Sequence, residues 1–267
     1  MINEFSKYIN VVREKKPLVY HITNAVTIND CANVTLAIGA SPLMSFCEDE
    51  LEEILSFASA LVINIGTMDK SMISIVKKAG MIANRLKKPV VLDPVGAGAT
   101  SARKRLLEDL VKNIKFDVVK GNMAEIKSIL GLNITVKGVD SIENMENAVE
   151  LGKALSEKLD TTVVITGKED VICYKKKVAK INNGHEMMAR ITGTGCMTAS
   201  LIGSYIGVVN DGFIAATLGT LSMSLCGENA VKDLKQGEGT GSLRVGIIDK
   251  LSLLDEKQLE MGDVIFE

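Results

Sequence analysis

The 267-residue chain reads as one α/β domain, residues 1–267, built on a mostly parallel sheet. Three observations predict it. Short, continuously apolar runs alternate with longer stretches of helical periodicity, the pattern of strands buried on both faces between helices. No Pro/Gly/Ser-rich linker divides the chain. At this length about 75 % of the unfolded surface can be buried, so a full core is within reach.

The elements follow in order. PLVYHI (17–22) reads as a strand and SPLMSF (41–46) as a second, short one. Leu51, Ile54, Leu55 and Ala58 recur at helical spacing, and ALVINIG (60–66) is an apolar strand ending in Gly. Met72, Val76, Ala79, Ala83 and Leu86 form the next helical stripe. PVVLDP (89–94) is a buried-type strand stopped by Pro94. Thr100 is placed to cap a helix carrying Leu106, Leu107, Leu110 and Val111. FDVVKG (116–121) is a strand. Asp140 with Glu143 marks a helix start, followed by Met145, Ala148, Val149, Leu155 and Leu159 on one face. TTVVITG (161–167) is a strand, and VICY with KVAKI (171–181) predicts a hairpin. After residue 195 the pattern is helix after helix. GFIAATLGTLSMSLC (212–226) is apolar nearly all round, which marks a helix buried in the core or against another subunit.

Composition narrows the function classes. Hydrophobic residues are 46 % and charged residues 24 %, an ordinary globular balance. The net charge is -2 and the longest basic run is Lys175-Lys176-Lys177, so no footprint for nucleic acid or an anionic membrane is present. The five cysteines are odd in number and include no CxxC pair, which argues against a disulfide framework or a zinc site and predicts a reducing, cytoplasmic setting. The first residues show no signal-type apolar core, and no apolar run reaches membrane-spanning length.

In open α/β sheets, ligands bind at the carboxyl ends of strands. The turns HITNAVT, INIGT, DPVGAGAT, KGNMAE and ITGKED all fall there. The segment TGTGCMTAS (192–200) is a glycine turn opening a helix, a geometry that aims backbone N–H groups and the positive helix end at an anion. A tight loop before a buried helix explains it equally well. Cys196 stands in the first turn of that helix, where a thiol is expected to ionise below its usual ~8.5. It reads as a base or nucleophile, or as a small residue packed near a ligand. In GNMAE (121–125), Asn122 and Glu125 share a face and suit either a hydrated Mg²⁺ or a helix cap. Asp93, at the end of its strand, fits the same cation or an Asx turn. Thr166 and Gly167 end a strand in a turn able to receive a nucleotide. His21 and His185 sit in no recognisable motif and read as structural. GEGTGSLRV (237–245) reads as a turn. No GxGxxG follows the first strand, which argues against a dinucleotide dehydrogenase.

Taken together, a strand ending in Asp-Pro, an N-x-x-E motif, a T-G turn and a late G-T-G turn opening a helix resemble the ribokinase-like superfamily. Within it the chain is similar to the hydroxyethylthiazole kinase family, through HITNAVTINDCANVTLAIGASPLM, LDPVGAGAT and ITGTGCMTAS. The resemblance implies a three-layer α/β/α sandwich with a helical C-terminal part. It implies ATP-dependent phosphorylation of the primary hydroxyl of 4-methyl-5-(2-hydroxyethyl)thiazole, with Mg²⁺, in a homotrimer with active sites between subunits. It places the thiazole at Asn24, Met44 and Gly193, and the nucleotide at Lys120, Thr166 and Gly167. Metal and phosphates fall to Asp93, Asn122 and Glu125, and catalysis to Gly193, Thr194, Gly195 and Cys196. Many members carry Arg where this chain has Lys120, so the bidentate fork is lost there. The competing expectations are a kinase for hydroxymethylpyrimidine or pyridoxal, a hydrate dehydratase, and a nucleotide-binding module without catalysis. Relatives with those activities normally keep Asp where this chain has Cys196.

Overall fold

A computed structural model describes residues 1–131 and 145–267. The expected helix start at Asp140 and Glu143 lies outside the described residues. The strands β1 (Leu18–Ile22), β2 (Ser41–Met44), β3 (Ala60–Asn64), β4 (Val90–Asp93), β5 (Val118–Asn122), β6 (Thr162–Thr166), β7 (Asp170–Tyr174), β8 (Lys177–Ile181) and β9 (Val264–Phe266) form one sheet in the order β2-β1-β3-β4-β5-β6-β7-β8-β9. Pairing is parallel from β2 through β6 and antiparallel from β6 to β9.

The helices are α1 (Ile2–Phe5), α2 (Tyr8–Lys15), α3 (Ile28–Ile38), α4 (Leu51–Phe57), α5 (Lys70–Arg85), α6 (Ser101–Asn113), α7 (Met123–Leu130), α8 (Met145–Leu159), α9 (Thr194–Ile206), α10 (Gly212–Lys232), α11 (Thr240–Leu253) and α12 (Glu256–Glu260). Side chains alternate across each strand, so the sheet feeds two cores. Val19, Val62, Val91, Val118 and Val164 pack with α2, α3, α9, α10 and α11. Tyr20, Leu61, Ile63, Val90, Leu92 and Val163 pack with α4 to α8. This is the expected three-layer α/β/α sandwich. The caps are local: Asp69 accepts from Met72 N, Thr100 from Arg103 N, and Asp211 from Phe213 N and Ile214 N.

Two expectations need correction, and a third, left open between two readings, is decided. The helical C-terminal part ends in a strand, β9, which the reading from residue 195 onward did not contain. It has only three residues, too short for a periodicity to register, and it exists by pairing with β8. The cluster 237–245 is a turn only as far as Gly239, because α11 begins at Thr240. Its glycines lower helix propensity, but Leu243, Ile247 and Leu251 are buried at a spacing of four and hold the helix down. The over-apolar segment 212–226 lies in α10 and takes the first of its two readings, since most of it is buried in the core of the single chain.

Helices α9 and α10 approach closely at Gly219, where a Cβ would lie 2.6 Å from the backbone nitrogen of Ile202. Backbone cannot yield as a flexible side chain would. Gly219→Ala is therefore expected to lower unfolding free energy by about 1–3 kcal/mol, read as a shift of the urea midpoint; an unchanged midpoint refutes the close contact.

Candidate active site

The parity that builds the core also builds the site. Two residues beyond Val62, Val91, Val118 and Val164 stand Asn64, Asp93, Lys120 and Thr166, all on the α9 face of the sheet. Parallel register sets Asn64 level with Asp93, and Asn122 level with Thr166. Helix α9 descends over this face. Gly203 lies against Val62 and Val19, where a Cβ would meet Val62 at 2.5 Å. Its amino end, opened by Gly193 at φ 90°, comes to rest above the polar strand ends. The turn needs glycine twice. Gly193 adopts a left-handed backbone beside Thr27, and a Cβ on Gly195 would fall 2.7 Å from Lys120 Nζ.

Asn64 is the hub. Its Nδ2 donates to Asp93 Oδ2 at 2.6 Å and to Cys196 Sγ at 3.2 Å. Its Oδ1 accepts from Asn24 Nδ2 at 3.1 Å and from Gly66 N at 2.9 Å. Asn24 is fixed in turn, its Oδ1 accepting from Val26 N and Thr27 N, while its Nδ2 also donates to Cys196 Sγ at 3.3 Å. The sulfur therefore receives two neutral amide donors, with the Lys120 charge a minor influence on it. Burial, followed by the nearby Asp93 charge, pushes the Cys196 thiol up to about 11. This corrects the expectation that the helix end would lower it. Removal from water outweighs the partial charge of the helix end when a carboxylate lies alongside. At neutral pH the group is a thiol.

Lys120 and Asp93 are both buried, with Nζ 3.5 Å from Oδ1. Burial alone would drive the Lys120 pKa down, but Asp93 and Glu125 prevail and hold it above the usual lysine range. Glu125 is raised, first by burial, with Lys120 opposing. Its oxygens accept from Gly96 N and Asn122 N, and Asn122 Oδ1 accepts from Glu125 N, which completes a capping box on α7. Both sequence readings of Asn122 and Glu125 are thus compatible: the pair caps its helix, and the Glu125 charge still reaches the site. Asp93 Oδ1 is buried 3.5 Å from Lys120 Nζ and has no hydrogen-bond partner among the described residues.

The structure brings Asn24, Asp93, Lys120, Glu125, Gly193, Thr194, Gly195 and Cys196 together. Thr166, whose Oγ1 donates to Gly121 O at 3.4 Å, ends the neighbouring strand, and Gly167 opens the turn that follows. Met44 stands apart on edge strand β2, level with His21. His21 is buried on β1: its Nδ1 sits 3.0 Å from Val19 O, and burial lowers its pKa to about 4, so the ring is neutral. Two residues escaped the sequence reading. Asn64 had a signal, a polar amide closing the apolar run ALVIN. Arg103 had none. Its guanidinium donates to the carbonyls of Ile65 (2.5 Å), Val95 (2.9 Å) and Gly66 (2.7 Å), tying the β3 and β4 turns together from a helix surface.

Residues 9–257 match the hydroxyethylthiazole kinase family. The chain belongs to that family. A hydroxyethylthiazole kinase of Alkaliphilus oremlandii is 46 % identical over 258 residues, covering 96 % of this chain and 95 % of the relative. The solved structure of a hydroxyethylthiazole kinase protein from Pyrococcus horikoshii OT3 superposes with a TM-score of 0.90 at 37 % identity, covering 99 % of each chain. A ribokinase-like superfamily protein from Enterococcus faecalis V583 shares the fold alone, with a TM-score of 0.63 at 14 % identity over 94 % of this chain and 89 % of that one. Membership in a kinase family implies ATP as co-substrate and a divalent metal. Among the described residues no group of three or more His, Cys, Asp or Glu could hold a metal by itself. The site fits a cation held largely by water and phosphate. Asp93 Oδ1, turned toward Lys120, has a lone pair left to accept from such a water, and two carboxylates around one ammonium leave a negative balance.

The hub makes two measurable claims. Asn64→Ala strips a partner from Asp93 and releases Cys196, so stability is expected to fall by about 1–3 kcal/mol and Cys196 to become easier to alkylate. In the unmodified protein, maleimide at pH 7 is expected to label exposed Cys47 and spare Cys196. Equal labelling of the two, located by peptide mass spectrometry, contradicts a buried neutral thiol.

Proposed function

We propose that this chain transfers the γ-phosphoryl group of ATP to the primary hydroxyl of 4-methyl-5-(2-hydroxyethyl)thiazole, a thiamine-salvage reaction. The observation that carries the reading is a neutral thiol at the third position of α9, where an alcohol kinase of this fold would otherwise hold an ionised base, set beside the Asp93–Lys120 pair. In this reading residues 1–267 act as one ribokinase-like kinase domain in the cytoplasm. Among the described residues no helix is long and apolar enough to cross a membrane.

The roles follow from position. Backbone N–H groups at Gly193, Thr194 and Gly195, with the amino end of α9, receive the travelling phosphoryl group. Lys120, held against Asp93 beside Gly195, adds the positive charge that group needs. As a point charge it gives up the planar fork of an arginine. Asn24 and Gly193 border the acceptor side, and Met44 meets the thiazole from the sheet edge. Thr166 and Gly167 meet the nucleotide. Asp93 and Glu125, with Asn122 supporting Glu125, would hold Mg²⁺ through its waters. There the cation would neutralise charge between the phosphates. Cys196 keeps the alcohol in line and stays protonated, so the hydroxyl proton leaves late, onto an oxygen of the transferred phosphate. Phosphoryl transfer passes through a loose transition state, so positioning and charge supply most of the rate. A homotrimer with active sites shared between subunits completes the reading; sedimentation of the purified protein tests that part.

ADP release is expected with hydroxyethylthiazole and not with hydroxymethylpyrimidine or pyridoxal at equal concentration. Turnover of either alternative alcohol alone would reassign the substrate, and nucleotide binding without turnover would favour a regulatory module. Cys196→Asp is expected to keep substantial activity, and Cys196→Ala to lose less than about 10²-fold in kcat. Complete loss in a folded Ala variant would make the thiol a required base or nucleophile.

A further inference from the structure

The turn between β6 and β7 has little of its own to hold it. Gly167 and Lys168 are exposed, and the hydrogen bond of Thr166 to Gly121 is long at 3.4 Å. What fixes the turn is the first residue of β7. Asp170 Oδ1 accepts from Gly167 N at 3.0 Å, reaching back across the turn. Its other oxygen, Oδ2, accepts from Ser224 Oγ at 2.8 Å, on a helix 54 residues farther along the chain. Asp170 is 7 % exposed, and burial raises its carboxyl to about 6 despite those two donors. Of the charged groups around it, Lys120 on β5 favours ionisation and Glu169 in the turn opposes it. A buried carboxylate is a costly way to satisfy two donors if shaping a hairpin were the whole purpose. The partner helix supplies the second purpose. Ser224 lies on α10, which packs along α9, and α9 carries the Gly193–Gly195 turn at its amino end.

We infer that Asp170 is a positioning residue for the nucleotide, locking the Thr166–Gly167 turn to α10 so that both ends of the triphosphate are referenced to one helix pair. Asp170 touches no substrate in this arrangement. It sets the shape of the turn that does, and Ser224 is its anchor. The inference rests on the kinase reading above for the placement of ATP at Thr166 and Gly167.

Asp170→Ala, Asp170→Asn and Ser224→Ala in the full-length protein test it, with KM for ATP, KM for thiazole and kcat measured separately. Dissociation constants for a non-hydrolysable ATP analogue, obtained by calorimetry, give a readout independent of turnover. Losing a charged hydrogen bond to the turn predicts about a tenfold rise in KM and Kd for nucleotide in Asp170→Ala, with thiazole KM little changed. Ser224→Ala is expected to show a smaller rise of the same kind. Asn at 170 can still accept from Gly167 and donate to Ser224, so Asp170→Asn is expected to recover most of the nucleotide affinity. Equal damage to both substrates, unchanged nucleotide affinity in Ser224→Ala, or no recovery in Asp170→Asn overturns the inference. If Asp170→Ala does not fold, the other two variants decide. Wild-type protein that binds the analogue but does not phosphorylate thiazole would sink the substrate assignment while leaving the calorimetric test of Asp170 in force.

Discussion

The buried Asp93–Lys120 pair is the constraint on which the site depends. Two opposite charges withdrawn from water are tolerable only together, since removing one partner leaves the other uncompensated in a low-dielectric surrounding. Here the pair is further committed. Asp93 spends one oxygen on Asn64 and keeps the other for Lys120, while the ammonium fills the space that the missing side chain of Gly195 leaves open. Glycine in the turn, lysine on the sheet and aspartate on the adjacent strand are therefore one arrangement. A side chain at 195 would push the lysine end aside and loosen its hold on the aspartate, a buried charge that has no other cation against it among the described residues.

That arrangement also explains why the helix end does not activate Cys196. A helix amino terminus offers only partial positive charge, and its effect fades within a turn. A thiol buried beside a carboxylate, with its sulfur accepting from two neutral amides, meets a stronger opposing field. The same amino terminus is better used by an entering anion, which brings full negative charge to backbone donors already in place. The division of labour is thus electrostatic: the glycines and Lys120 serve the phosphoryl group, and the thiol serves geometry.

Much of the fold was legible because its signals are local. Apolar runs such as ALVIN and PVVLD are bounded by glycine, proline or a cap, and their strands appear within a residue or two of the expected positions. The hairpin at 171–181 and the cap at Thr100 were likewise set by neighbours in sequence. Strand β9 was not legible, because three residues carry no period and the strand exists through its pairing with β8. Arg103 was invisible for a related reason: its partners are backbone carbonyls on two other turns, and carbonyls leave no mark in a sequence.

By itself, the sequence determined the layered α/β architecture, the face each strand residue occupies, and the set of turns that gather at the strand ends. These follow from alternation, helical period and capping, which act over a few residues. Only the tertiary structure decided what those turns do to one another. It made Asn64 the hub, raised the Cys196 thiol instead of lowering it, gave Glu125 a capping bond as well as a charge within reach of Lys120, and buried 212–226 inside one chain. Each of these depends on burial and on charges brought close from distant strands, and the free energy of a charge in a protein is set by what surrounds it in space.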